Sequence, residues 1–368
     1  MLLNGEKPII AVTGSAGKTT VKNLVAAILR EKWVVFEAND YNNTTEKTKE
    51  HVQRISFIHR AAVVEYGMAY PGVITEHCSI LRPNIGIITN IGLAHIGNFD
   101  GSIEQLAEAK SELLKGVAPA GMFFINADDE NSKLIPINTF TGNLFTVGID
   151  SDSDYQAKNV KYTEDGMAFT VNLDGVDHNF ICPMLGKHNV YNALFAIGVA
   201  DQLGFSPMNM KKGLKNVKSP EHRLGIHKLK NGIIVIDDTV HAHPTAMKAA
   251  LDVLEAVGKK KKIAILGSMP ELGDRINEYH EEVGSYAATK GIDFLYTYGN
   301  VSVNIGIGAI CSGFPANKVS HKTPLYRKVM HRELIEMIEP ETVILVKGAS
   351  RLKMYETVEF LCDYYKVD

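Results

Sequence analysis

The chain predicts an α/β protein of two mostly parallel sheets, and three observations carry that reading. Short apolar runs alternate with helix-patterned stretches along 368 residues, which is the signature of βαβ units. The length suits two cores, with 45% hydrophobic and 22% charged residues. A glycine-containing turn joins the first apolar run to a helix start, as at the phosphate-binding edge of such a sheet.

Taken in order, the runs are 9–12, 61–64, 85–89 and 122–126, then 233–236, 263–266, 294–297 and 343–346. Each is four or five residues of mostly Ile, Val, Leu, Ala or Phe, as in strands covered on both faces. Residues 155–180 alternate in polarity and carry Glu164-Asp165-Gly166 and Asp174-Gly175, so they read as an antiparallel hairpin added at the edge of the first sheet. A helix is expected at about 188–203. The polar stretch 211–223, which holds Pro220, reads as the boundary between domains 1–220 and 221–368. Lys259 to Lys262 reads as a solvated turn.

Net charge is −3, so no basic field exists to hold nucleic acid or an anionic membrane. No apolar run approaches the ~20 residues of a membrane span, and no signal peptide is recognised, so the expected location is cytoplasmic. Cys78, Cys182, Cys311 and Cys362 form no C-x-x-C pair and are expected as reduced thiols. Small-molecule partners and a monomer or weak homo-oligomer are expected.

The strongest motif is Val12-Thr13-Gly14-Ser15-Ala16-Gly17-Lys18-Thr19-Thr20. Backbone N–H groups of such a turn cradle phosphates, Lys18 adds positive charge at the β/γ oxygens and Thr19 a hydroxyl for Mg²⁺. It is a shortened P-loop, since neither Val12 nor Thr13 supplies the earlier glycine. Glu65, after run 61–64, and His95, after Thr89-Asn90-Ile91-Gly92, stand at neighbouring strand ends where a parallel sheet places ligands, and are read as metal ligands.

These segments, together with Glu65-Tyr66-Gly67-Met68, Ala109-Lys110-Ser111-Glu112, Leu185-Gly186-Lys187-His188-Asn189, Glu221-His222-Arg223-Leu224, Ile236-Asp237-Asp238-Thr239 and Val346-Lys347-Gly348-Ala349-Ser350-Arg351, resemble the Mur ligases in order along nearly the whole chain. The resemblance is nearest to the branch that adds D-alanyl-D-alanine. It implies a P-loop central ATPase domain and a Rossmann-like C-terminal domain, ATP with two Mg²⁺ ions, and an acyl phosphate attacked by an amine to give an amide. It also implies roles: Lys18, Lys110 and His95 catalytic; Gly14, Ser15, Ala16, Gly17, Lys18, Thr19 and Thr20 around the phosphates; Thr19, Glu65 and His95 at metal. Lys110 matches the lysine that is carbamylated in the family. Asn192 would meet adenine, Arg223 the phosphates and Asp238 the ribose.

Three departures lie on the substrate side. The P-loop strand starts at Ile9, so the family's N-terminal UDP-sugar domain is expected to be absent. Val240-His241-Ala242-His243-Pro244 replaces the family's Tyr-Asn-Ala-Asn-Pro, and His241 and His243 are read as handling a different nucleophile, as a metal pair or as helix caps. Asn39-Asp40-Tyr41-Asn42-Asn43 keeps only the start of a substrate loop, with Asn42 and Asn43 as substrate contacts or a turn; Lys347 is a further substrate candidate. The expected function is therefore an ATP-dependent carboxylate–amine ligase acting on an acid other than the UDP-muramoyl peptide, such as a peptide or cofactor precursor, ring closure included. The alternatives are a peptidoglycan ligase of this family whose sugar-binding domain is a separate chain, or a regulatory ATPase.

Overall fold

A computed structural model describes residues 7–39, 42–217 and 221–367. Contacts divide the chain into two compact units, Met1–Pro220 and Glu221–Asp368. Residues 218–220, at the expected boundary, lie outside the described residues, as do Asp40 and Tyr41 of the expected substrate loop.

The first unit is built on one sheet of nine strands: β1 (Ile9–Thr13), β2 (Val35–Glu37), β3 (Ala61–Glu65), β4 (Ile85–Ile88), β5 (Met122–Asn126), β6 (Asn143–Gly148), β7 (Tyr155–Thr163), β8 (Gly166–Leu173) and β9 (Val176–Cys182). Their order is β2-β3-β1-β4-β5-β6-β7-β8-β9. Pairing is parallel from β2 to β7 and antiparallel in β7-β8-β9. Strand order turns about β1, which lies between β3 and β4, and ligands of open α/β sheets gather outside the carboxyl ends at such a point. The loop after Thr13, the carboxylate of Glu65 and the Thr89-Asn90 turn all stand at that edge.

Among the described residues, six α-helices accompany the sheet: α1 (Lys18–Leu29), α2 (Thr45–Arg54), α3 (Val73–Ile80), α4 (Ile103–Gly116), α5 (Lys187–Gln202) and α6 (Pro207–Lys215). Leu24, Val25 and Ile28 of α1 and Leu194, Phe195 and Ile197 of α5 share one buried cluster with β1, β3 and β4. The edge addition is three strands with two turns rather than one hairpin. The expected linker 211–223 is also corrected, because its first residues belong to α6. Ser206 caps that helix, Pro207 fits its first turn, and Met210 and Leu214 are buried. Gly213 lies so close to α1 that a Cβ there would sit 2.4 Å from Ile28 Cα.

The second unit is a six-stranded sheet, β10 (Gly225–Lys228), β11 (Ile234–Asp238), β12 (Lys261–Gly267), β13 (Phe294–Tyr298), β14 (Val319–Lys322) and β15 (Thr342–Lys347), in the order β10-β11-β15-β12-β13-β14. Only the β10-β11 pair is antiparallel. Helices α7 (Pro244–Val257), α8 (Ile276–Ala288), α9 (Val303–Cys311), α10 (Arg327–Met337) and α11 (Tyr355–Tyr364) complete it. Lys261 and Lys262, expected in a solvated turn, open β12, and Lys261 Nζ donates to Met337 O at 2.8 Å. Cys78 and Cys182 are buried, which pushes their thiols up to about 12, whereas Cys311 is exposed. No described helix is long and apolar enough to cross a membrane.

Candidate active site

The turn between β1 and α1 exists because two glycines take backbone shapes that side chains resist. Gly14 has φ +144° and Gly17 φ +80°. A Cβ on Gly14 would sit 1.9 Å from Thr89 Oγ1, and one on Gly17 2.5 Å from Asn192 Oδ1. The residues after β4 hold the turn from the other side. Asn90 O accepts from Ser15 N at 3.0 Å and Asn90 Oδ1 from Ala16 N at 3.0 Å. Ser15 Oγ is bonded to Gly92, and Thr89 Oγ1 donates to Ala16 O.

No side chain caps the N-terminus of α1, so its first N–H groups face the turn with the helix dipole behind them, a site suited to phosphate. Lys18 folds over the turn, its Nζ donating to Gly14 O at 3.0 Å. Thr19 Oγ1 donates to Glu65 Oε2 at 2.8 Å, and Asn43 Nδ2 donates to Glu65 Oε1 at 2.8 Å. Glu65 is 4% exposed. A carboxylate fixed at both oxygens, beside a hydroxyl whose lone pairs remain for a cation, is a hard-oxygen donor set of the kind Mg²⁺ takes. These residues fit a nucleotide phosphate with its divalent cation.

His95 lies in the turn after β4 with φ +65°, half-buried. Among the described residues, no group of three or more His, Cys, Asp or Glu forms a metal cluster. Lys110 on α4 is 1% exposed, and burial together with neighbouring Lys18 holds its ammonium well below the usual lysine range. Thr20 is buried in the first turn of α1. Asn192 on α5 packs against Gly17 and donates to Asn189 Oδ1 at 2.9 Å.

In the second unit, register pairs Asp238 with Lys347 across β11 and β15. Lys347, 1% exposed, donates from Nζ to Asp238 Oδ2 at 2.6 Å and to His241 O at 2.8 Å. The substrate candidate is thus a buried strut under the loop after β11. His243 is buried and caps α7, its Nδ1 accepting from Ala246 N at 3.4 Å, while His241 is exposed. Arg223 lies between His222 and Leu224, both with positive φ. His222 is tied down twice: its ring meets Asp237 Oδ2 at 2.7 Å and its carbonyl accepts from Thr239 N. Strain of this kind persists where surroundings over-determine it.

Sequence reading missed Lys22 and Asp128, two polar side chains held by hydrogen bonds in the first unit. Lys22, fully buried in α1, donates from Nζ to Ala38 O at 2.5 Å and anchors the start of the loop that leads to Asn43. Burial alone would raise the Asp128 carboxyl, but N–H groups of Ile149, Asp150 and Ser151 and the Tyr191 hydroxyl hold it far below the carboxylate range. A lysine on the helix face that packs inward was the one signal available for Lys22. Asp128 carried none.

A P-loop on a parallel sheet with a buried carboxylate at the next strand end defines a nucleotide-dependent enzyme. The comparisons define which. The family description "Mur ligase middle domain" matches residues 12–200, and "Mur ligase, glutamate ligase domain" matches 222–350. The chain belongs to the Mur ligase family, and is an ATP-dependent ligase that forms a C–N bond. It is 33% identical over 356 residues to the UDP-N-acetylmuramoyl-tripeptide--D-alanyl-D-alanine ligase of Bacillus subtilis (strain 168), covering 96% of this chain and 76% of that protein. The enzyme of the same name from Escherichia coli (strain K12) is 30% identical, with 96% and 76% covered. A crystal structure of MurF from Acinetobacter baumannii superposes with TM-score 0.87 at 26% identity, covering 98% of this chain and 77% of that one. This similarity overturns the expectation of an acid other than the UDP-muramoyl peptide, ring closure included. That expectation rested on the start of the chain and on two altered loops, and these are outweighed by similarity along nearly the whole sequence.

Proposed function

We propose that this chain joins D-alanyl-D-alanine to the peptide carboxylate of UDP-N-acetylmuramoyl-tripeptide. The observation that carries the reading is the 33% identity over 356 residues to a ligase named for those substrates. The carboxylate oxygen attacks the γ-phosphorus of ATP, releasing ADP and leaving an acyl phosphate. The dipeptide amine then attacks the carbonyl carbon, phosphate departs, and the amine gives up a proton.

In this reading the turn 14–17 and the start of α1 hold the phosphates by N–H donation, and Lys18 swings from Gly14 O to the transferred group. Thr19 and Glu65 would hold Mg²⁺, and His95 and a carbamylated Lys110 would serve a second ion. Mg²⁺ when bound neutralises charge that builds on the phosphate oxygens. A buried lysine with a lowered pKa is more often the free amine, the form that adds CO₂ with loss of a proton, and the carbamate offers oxygens where an ammonium would repel a cation. Asn192 meets the base; Arg223 and Asp238 serve the phosphates and ribose. Units 1–220 and 221–368 are proposed as the ATP-binding and glutamate-ligase domains. Asn42, His241 and His243 stay substrate-side candidates, with His243 constrained by its capping bond.

Mass spectrometry of the full chain incubated with ATP, Mg²⁺, UDP-muramoyl-tripeptide and D-Ala-D-Ala tests the proposal. A pentapeptide product that needs all components, and that Lys18→Ala abolishes, is expected. Complete consumption of ATP without that product would overturn it.

A further inference from the structure

The imidazole of His77 on α3 has no part in the roles above, yet it is fully buried and uses both nitrogens. Nε2 lies 3.1 Å from Gly67 O, and Nδ1 lies 2.7 Å from Thr48 Oγ1. A carbonyl only accepts, so Nε2 carries the proton and Nδ1 of the neutral ring accepts from the Thr48 hydroxyl. Burial lowers the pKa of His77, which favours this neutral form. Its ring also stacks on Tyr66, with centroids 4.5 Å apart and planes 10° from parallel.

These contacts join two segments that converge on Glu65. Tyr66 and Gly67 continue directly from β3, whose last residue is Glu65. Thr48 lies near the start of α2, whose capping residue Thr44 follows Asn43. Gly67 N donates to Asn43 O at 3.0 Å, and Asn43 Nδ2 donates to Glu65 Oε1. The approach is so close that a Cβ on Gly67 would sit 2.7 Å from the Asn43 side chain.

We propose that His77 is a positioning residue for the Glu65 carboxylate: it clamps the Tyr66-Gly67 turn to the start of α2, so that Asn43 and Thr19 hold both carboxylate oxygens in register for a divalent cation. The inference rests on the reading of Glu65 as a metal ligand. Residues that orient a ligand in this way tune metal affinity without touching the metal.

The test measures Mn²⁺ binding by EPR in the full chain saturated with a non-hydrolysable ATP analogue, alongside binding of that analogue in EDTA. His77→Leu is expected to weaken Mn²⁺ binding by roughly 10- to 100-fold while leaving analogue affinity in EDTA within about twofold. His77→Gln, whose amide can still donate to Gly67 O, is expected to recover most of that loss, and Thr48→Val to weaken Mn²⁺ binding in the same direction. Unchanged Mn²⁺ affinity in His77→Leu, or an equal loss of both affinities, overturns the role. Should His77→Leu not fold, unchanged Mn²⁺ affinity in Thr48→Val does so instead. Glu65→Gln separates the two claims. Mn²⁺ affinity that survives Glu65→Gln refutes the ligand reading itself, whereas loss there with no change at His77 refutes only the clamp.

Discussion

Replacing Gly17 by alanine tests the phosphate turn at its tightest point. An L-residue at φ +80° costs about 1–2 kcal/mol. The new Cβ would also sit 2.5 Å from Asn192 Oδ1, so Asn192 must move and strain its bond to Asn189, for about 0.5–1.5 kcal/mol more. Together these predict a loss of about 1.5–3.5 kcal/mol, or about 3–14 °C in the melting of the first unit. Trp33, the single tryptophan, packs edge-on against Phe205 at 4.9 Å in that unit and reports its unfolding by fluorescence. Gly101→Ala supplies the control, because Gly101 has φ +74° with nothing within 4 Å of a Cβ and pays only the backbone part. ATP affinity measured by calorimetry is expected to fall roughly tenfold or more in Gly17→Ala, as at least one charge-assisted N–H bond is misdirected. Equal destabilisation in the two variants, with ATP affinity unchanged, would refute the argument that Asn192 and Gly17 shape a phosphate cradle.

Lys347→Met leaves the Asp238 carboxylate and His241 carbonyl without their buried cation, and is expected to cost about 3–5 kcal/mol, read as a lower urea midpoint in circular dichroism. Burial and then Arg327 hold His331 down to about 4, against an ordinary 6.5. The unfolded chain takes up that proton first, so the stability present above 6.5 is lost as pH falls toward 4, and His331→Phe should flatten the dependence while keeping the stack on Phe360. Denaturant titrations across that range read the difference. Lys110 gives the same sign at higher pH: its lowered pKa means the unmodified protein gains stability as pH rises toward 10.5. Lys110→Met should abolish ligation and remove that slope in melts run without CO₂.

Periodicity made most of the sheet legible because its central strands are covered on both faces and read as unbroken apolar runs. The strands that escaped, such as Val35–Glu37 and Val319–Lys322, are short and sit at sheet edges, where one flank is solvated and the apolar signal fades. Helix α6 escaped because Lys211, Lys212 and Lys215 make it read as polar, while its two buried residues and a glycine do the packing. At the proposed site, Lys18, Thr19 and Glu65 could be singled out because the chemistry expected of phosphate and Mg²⁺ restricts residue type at a strand end, and the structure brings Thr19 and Glu65 together. Asn43 bonding to Glu65, and Lys347 buried under Asp238, depend on register between segments far apart in the chain, which local sequence does not carry. The altered loop at 240–244 misled for a related reason: His243 keeps a capping bond that an asparagine side chain also makes.

The most direct test of the central claim follows the oxygen atoms. With UDP-muramoyl-tripeptide labelled by ¹⁸O in its terminal carboxylate, ligation through an acyl phosphate moves one labelled oxygen into each phosphate released, in step with D-Ala-D-Ala addition and absent in Lys18→Ala. Unlabelled phosphate accompanying pentapeptide formation would contradict the account.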